Sequence, residues 1–272
     1  MSIHPTATVS GSARIASGVS IGPYAVIEPD TEIGEGTEVR AHACVKRFTA
    51  LGPENVIHEG AVLGGEPQDI GFTEHESYLR IGARNRIREG VTIHRGTGPG
   101  SQTIIGSDCF IMTCAHVAHD CRLADGVIIA SNVALAGHVE IEERAFISGG
   151  VVIHQFCRIG KLAMIGGNSK IVQDCLPFII TDGVPGRARG LNLIGLRRAG
   201  LSGENLRSLK RAYAVLMRSG LGLDEALKQF IKIDDRLVDY LVEFIRKSER
   251  GFCREARKGG SKRQDPEQQN RR

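Results

Sequence analysis

The sequence predicts a parallel β-helix of hexapeptide repeats with a small α-helical domain behind it. Three observations carry that reading. An aliphatic residue recurs at every sixth position from Ile105 to Ile171, through Ile111, Val117, Leu123, Ile129, Leu135, Ile141, Ile147, Ile153, Ile159 and Ile165. Four residues after each stands a small or β-branched one, such as Cys109, Ala115, Cys121, Val127 and Val133. Helical periodicity sets in only after Asn192. A period of six is neither that of a helix nor that of a simple strand, so it marks a repeat. Each hexad supplies one short strand and one corner, and three hexads close a triangular coil. The aliphatic and the small residue are an even number of positions apart, so both point inward.

The same phase opens the chain at Ile3 and continues through Val9, Ile15, Ile21, Ile27, Ile33, Val39, Val45, Leu51, Ile57 and Leu63. It breaks over Glu66 to Tyr78, returns at Ile81, Ile87 and Ile93, and skips once around Gly98 to Gly100. The breaks read as loops that leave the prism while the register is kept, and such loops are where binding residues gather. About nine coils at ~4.8 Å per rung predict a column about 45 Å tall. The prism is expected over residues 1–177. Residues 178–192, with Pro185 and three glycines, read as a connector. Residues 193–253 form the helical domain, its patterns strongest over Glu204–Arg218, Leu223–Phe230 and Arg236–Lys247. Residues 254–272 have almost no apolar content and are expected to be a disordered basic tail.

Composition narrows the function. The 272 residues include no Trp and only 5% aromatics, which suits a narrow aliphatic prism. The formal charge of +4 is mild, and no basic face is interleaved with aromatics, so nucleic acid is not an expected partner. No apolar run approaches the ~18 residues of a membrane span. The first residues enter the repeat at once and lack signal-peptide anatomy. Seven cysteines show no paired spacing. Cys109, Cys121, Cys157 and Cys175 fall at inward small positions, so they read as buried thiols of a cytoplasmic protein.

The histidines are not scattered. With an 18-residue coil, His119 to His138 is one coil and one position, and His138 to His154 is one coil less two. The three therefore stack on one corner, outside the core, across about 10 Å of column. His116 shares the coil of His119. Stacked external histidines point to proton transfer, since imidazole titrates near 6.5, or to metal binding.

These residues carry a resemblance. The segments Ala115-His-Val-Ala-His-Asp-Cys121, Leu135-Ala-Gly-His-Val139 and Val152-Ile-His-Gln-Phe-Cys157 closely resemble the acyl-carrier-protein-dependent UDP-N-acetylglucosamine O-acyltransferases of lipid A biosynthesis. Pro67-Gln-Asp69, Ile87 to Thr97 and Asn192 to Gly200 extend the match, which runs to about residue 250. The resemblance implies a left-handed coil, the known exception to right-handed crossovers. It implies a homotrimer with sites between adjacent subunits. The reaction would move an (R)-3-hydroxyacyl chain from acyl carrier protein to the 3-hydroxyl of the UDP-sugar. The phosphopantetheine thioester enters as co-substrate, with no cofactor and no metal.

Residue by residue, the resemblance makes His119 the general base, Asp120 its orienting carboxylate and the Gly137 N–H the oxyanion donor. Gln68, Asp69, His94, His116, His138, His154, Gln155, Asn192 and Arg198 would position the substrates. Gly167 falls at the family's acyl-chain ruler, where a glycine implies a longer chain. Ile194, Ala199 and Gly71 stand where relatives carry one acidic and two basic residues, which leaves a 3-amino sugar nucleotide as an alternative acceptor.

Other classes compete. A zinc enzyme like the γ-class carbonic anhydrases needs an H-x₄-H pair, and this chain has His116-x₂-His119. A non-catalytic β-helix binding module leaves the histidine stripe without a task. A related N-acyltransferase carries an extra N-terminal uridine-binding domain, whereas the repeat here begins at Ile3. In the helices, Arg207, Lys210, Arg211 and Arg218 suit either docking of the acidic carrier protein or a solvated basic face.

Overall fold

The computed structural model describes residues 1–256. Two-residue strands alternate with tight corners, beginning Ser2–Ile3, Thr8–Val9, Arg14–Ile15 and ending Lys170–Ile171. They stack into three parallel sheets, the faces of a left-handed triangular β-helix. The first sheet starts at Ser2–Ile3, the second at Thr8–Val9 and the third at Arg14–Ile15. The second sheet has nine strands, matching the nine coils expected.

Inward aliphatics make one continuous core. Ile57, Leu63, Ile87, Ile93, Val117, Leu135 and Ile147 are all fully buried, each contributing about 1.5–3 kcal/mol. The corners repeat as regularly. Three residues after most inward aliphatics the backbone turns left-handed, as at Asp30, Phe48, Asp120, His138 and Phe156, with φ of 58° to 63°. The same geometry is thus imposed on aspartate, histidine and phenylalanine alike. The burial of Cys109, Cys121, Cys157 and Cys175 keeps their thiols protonated, Cys109 pushed up to about 11 and Cys121 to about 12. All seven cysteines are unpaired.

Strand register locates both breaks. Ser2 pairs with Ser20, but Val56 pairs with Arg86, so twelve extra residues leave the coil there. Ile93 pairs with Val117, so six more leave at the second break. Both excursions depart from the corner between the second and third sheets.

Residues 178–192 do more than connect. Ile179–Asp182 joins the first sheet, and Arg187–Leu191 pairs with it antiparallel. Their glycines and Pro185 disguise strands as a loop. Four helices follow among the described residues: α1 (Leu193–Arg198), α2 (Gly203–Arg218), α3 (Leu223–Phe230) and α4 (Arg236–Arg246). Their apolar faces, with Tyr213, Leu216, Phe230, Leu241 and Phe244, pack on Leu176, Ile179 and Ala188 and close the end of the column. No helix is long and apolar enough to cross a membrane among the described residues.

The chain then returns to the prism. Cys253 joins its core, and its N–H donates to the Asp174 carbonyl at 2.9 Å. The expected tail starts too early at 254: the Arg254 carbonyl accepts from the Ala188 N–H, and Glu255 binds Tyr213 and Arg218. A carboxylate with a phenol and a guanidinium in reach is held by them. The remainder of that expectation, 257–272, lies outside the described residues.

Candidate active site

The corner between the second and third sheets gathers the histidines. His116 and Ala134 pair across neighbouring rungs, as do Ala134 and Val152, so the corners 118–120, 136–138 and 154–156 stack. The His119 and His138 rings meet edge to face, 5.3 Å between centroids. His138 stacks on Phe156 at 4.6 Å with ring planes 11° apart.

Asp120 is the hub. Its Oδ2 accepts from His119 Nδ1 at 2.9 Å, Thr97 Oγ1 at 2.7 Å and Thr97 N–H at 3.1 Å. His138 Nε2 stands 3.8 Å from the same oxygen. The Asp120 N–H donates to Thr103 Oγ1 at 2.8 Å, and Thr103 is fully buried. Burial pulls the Asp120 carboxyl upward, but donors from Thr97, His119 and Ser101 outweigh it and hold it below the usual range. The carboxylate therefore stays charged, and His119 Nδ1 stays a donor. That leaves His119 Nε2 as the open, basic nitrogen.

Gly137 lies under that nitrogen. A Cβ built at Gly137 would sit 2.6 Å from His119 Nε2 and 2.3 Å from Cε1, so only glycine admits the ring. Equivalent corner positions are occupied by Pro23, Pro29 and Pro53. A slot that accepts proline owes no N–H to the sheet ladder. The Gly137 N–H has no acceptor among the described residues, so it is left available beside the base.

His116 and His94 lie next to this group on the second sheet. Their rings are 5.1 Å apart, and His116 Nδ1 is 2.9 Å from Thr92 Oγ1. Burial pushes both imidazoles down, His116 further through His94 and His119, which keeps them neutral near pH 7. His94 Nδ1 donates to the Glu66 carbonyl, where the first loop departs. His154 and Gln155 are exposed on the rung above, and His154 Nδ1 donates to the Gln155 carbonyl at 3.2 Å. A cleft of about 690 Å³ runs from Asp120, His138 and Phe156 to Arg122, Glu140 and Arg158.

The other expected residues stand apart from the cluster. Gln68 and Asp69 are exposed on the first loop, where Asp69 Oδ1 accepts from the Gly71 N–H. Gly167 occupies a different edge, the corner between the first and second sheets. Its φ is not left-handed, and an added Cβ would meet only the Gly149 carbonyl, at 3.5 Å. Asn192 caps α1, accepting from the Gly195 N–H and donating to the Leu162 carbonyl, both at 3.0 Å. Arg198 is exposed in the last turn of α1.

Sequence reasoning missed Thr97, Thr103 and Phe156. Phe156 was findable, one 18-residue coil above His138; Thr97 sits in the second break, where the coil count fails. His119, Asp120 and His138 bring ligand atoms within 4.8 Å of one another, as a metal site would. Yet the Asp120 oxygen nearest both rings already accepts three hydrogen bonds, which a cation would have to displace.

A hexapeptide coil with a carboxylate-held histidine over a free backbone N–H defines the chain as an acyltransferase of the hexapeptide-repeat class. Comparison with known proteins specifies it. Residues 12–47 and 102–137 match the bacterial transferase hexapeptide family, and 174–253 match domain 2 of the UDP-N-acetylglucosamine O-acyltransferases. The acyl-[acyl-carrier-protein]–UDP-N-acetylglucosamine O-acyltransferase of Burkholderia orbicola is 44% identical over 259 residues, 93% of this chain and 99% of that one. The Synechocystis enzyme of the same name is 50% identical over 181 residues, 66% of each chain. The solved UDP-N-acetylglucosamine O-acyltransferase from Moraxella catarrhalis superimposes with a TM-score of 0.90 at 40% identity, covering 93% of this chain and all of that one. The chain belongs to the UDP-N-acetylglucosamine O-acyltransferase family.

Proposed function

We propose that the protein transfers an (R)-3-hydroxyacyl chain from acyl carrier protein to the 3-hydroxyl of UDP-N-acetylglucosamine, the first step of lipid A biosynthesis. One observation carries the mechanism: His119 Nε2 is open over Gly137 while Nδ1 is bound to Asp120. His119 takes the proton of the sugar hydroxyl as oxygen attacks the thioester carbonyl, a contribution of order 10²–10⁴ in rate. Asp120 holds the tautomer and stabilises the imidazolium that forms. The Gly137 N–H donates to the tetrahedral oxyanion, worth about 2.7–4 kcal/mol. Collapse expels the pantetheine thiolate, which takes the proton back from His119. No metal or further cofactor enters this scheme.

In this reading Gln68, Asp69, His94, His116, His138, His154 and Gln155 orient the sugar and acyl chain, and Arg198 faces the nucleotide from α1, whose start Asn192 caps. Gly167 belongs to the acyl groove and lies on an edge away from His119. A homotrimer reconciles the two, since a neighbouring copy brings its own Gly167 corner to this His119 corner. The second sheet suits such an axis, since its two edges are the Gly167 corner and the His119 corner. Unpaired cysteines fit a reducing cytoplasm.

The test incubates the protein with UDP-N-acetylglucosamine, its 3-amino analogue and mixed acyl carrier protein thioesters, and weighs the product. An O-acylated UDP-N-acetylglucosamine is expected; an amide product moves the assignment to the amino sugar. Gly167→Met should shorten the preferred chain, each lost methylene contact costing about 0.8 kcal/mol, or fourfold in binding. Unchanged preference removes Gly167 from the groove.

A further inference from the structure

Arg95 is sealed inside the molecule at 1% exposure, and no step above uses it. It follows His94 directly, at the corner slot where Arg47 and Gln155 reach solvent on other rungs. Here the guanidinium turns under the first loop. Nη1 donates to the His75 carbonyl at 2.7 Å, and Nη2 to the two Glu74 carboxylate oxygens at 3.0 and 3.2 Å. The rings of Phe48 and Phe72 lie 5.4 and 5.3 Å away. The Arg95 N–H donates to the Gly65 carbonyl at 3.0 Å, and His94 holds Glu66.

Both ends of the 66–77 loop thus converge on two consecutive residues. The loop is also fastened to the second one. The Gly100 N–H donates to the Glu76 carbonyl at 2.8 Å, and the Tyr78 N–H to the Ser101 carbonyl at 2.9 Å. That second loop supplies Thr97 to Asp120. Peeling the first loop away would break the Arg95 hydrogen bonds to His75 and Glu74 that the loop itself shields from water. A planar fork that spans a carbonyl and a carboxylate is the geometry arginine provides and lysine does not.

We propose that Arg95 is a positioning residue that clamps the 66–77 loop, and with it Gln68 and Asp69, where the sugar nucleotide is recognised. The proposal rests on the reading of those two residues as sugar contacts. It is tested with Arg95→Met, Arg95→Lys, Glu74→Gln and Gln68→Ala in the full-length protein. Steady-state kinetics vary UDP-N-acetylglucosamine and acyl carrier protein thioester in turn, and amide hydrogen exchange follows the loop. Arg95→Met should raise KM for the sugar nucleotide about tenfold, leaving kcat and the donor KM within about twofold, the signature of lost ground-state positioning. Exchange should quicken over 66–77 and stay slow in the prism strands. Arg95→Lys should recover part of the loss. Glu74→Gln alters a side chain that is 55% exposed, so it tests the clamp in a folded protein even if Arg95→Met does not fold; a smaller change in the same direction is expected. A normal sugar KM and unchanged loop exchange in Arg95→Met and Glu74→Gln, with Gln68→Ala impaired, overturns the clamp alone. So does loosening of the whole prism with both KM values raised. A wild-type sugar KM in Gln68→Ala overturns the loop's role in sugar recognition, and the proposal falls with it.

Discussion

The corner between the second and third sheets is used twice, low and high on the column, with opposite results. Low down, Glu28 meets Lys46 at 2.6 Å, and Asp30 lies 3.6 Å from Arg47. Higher up, Asp120 occupies the same left-handed turn position as Asp30, but its donors are one imidazole, a hydroxyl and a backbone N–H, with a second imidazole 3.8 Å away. Burial raises the Glu28 carboxyl and Lys46 brings it below its usual range. Burial likewise raises Asp120, and Thr97, His119 and Ser101 bring it down. Both acids are charged, so backbone geometry and ionisation do not separate the corners. What separates them is the partner. A lysine consumes the carboxylate's charge in an ion pair, whereas an imidazole bound through Nδ1 keeps Nε2 open to a substrate proton. The coil supplies a rack, and the side chains at one corner decide whether it is inert.

That contrast is broken most easily at the imidazole. His119→Ala should lower kcat about a thousandfold, within the range for loss of a general base. Glu28→Gln should leave kcat unchanged and cost about 1 kcal/mol of stability, as for a partly exposed pair. Equal effects of the two would erase the distinction. Gly137→Ala comes next: its methyl occupies the space of the His119 ring and displaces the base, and a loss of about 10²-fold in kcat is expected with the melting temperature little moved. Thr97→Val sharpens the comparison further. Removing one hydroxyl donor from a buried carboxylate should cost about tenfold in kcat, and Thr97→Ser should restore it. If serine is as poor as valine, Thr97 matters for packing and not for its hydrogen bond.

How much of this was legible depends on the period. The column, its inward residues and the alignment of His119 with His138 follow from counting sixes, because each coil repeats with little local choice. Counting fails where the chain leaves the coil. Thr97 reaches Asp120 across the second break, and Arg95 owes its burial to a loop whose path no period describes. The strands at Ile179–Asp182 and Arg187–Leu191 read as a connector because antiparallel pairing ended the hexads. Asn192 matched a binding motif in sequence, while in the structure its amide is engaged in capping α1. Glu255 looked like tail because its partners, Tyr213 and Arg218, lie about forty residues earlier in the chain.

The central claim is that Asp120 acts through His119 and not on its own. A double-mutant cycle in kcat/KM with His119→Ala, Asp120→Ala and the pair tests it directly. The account predicts that the double variant is no slower than His119→Ala alone, since a carboxylate with no imidazole to orient has nothing left to lose. Losses that simply multiply would contradict it.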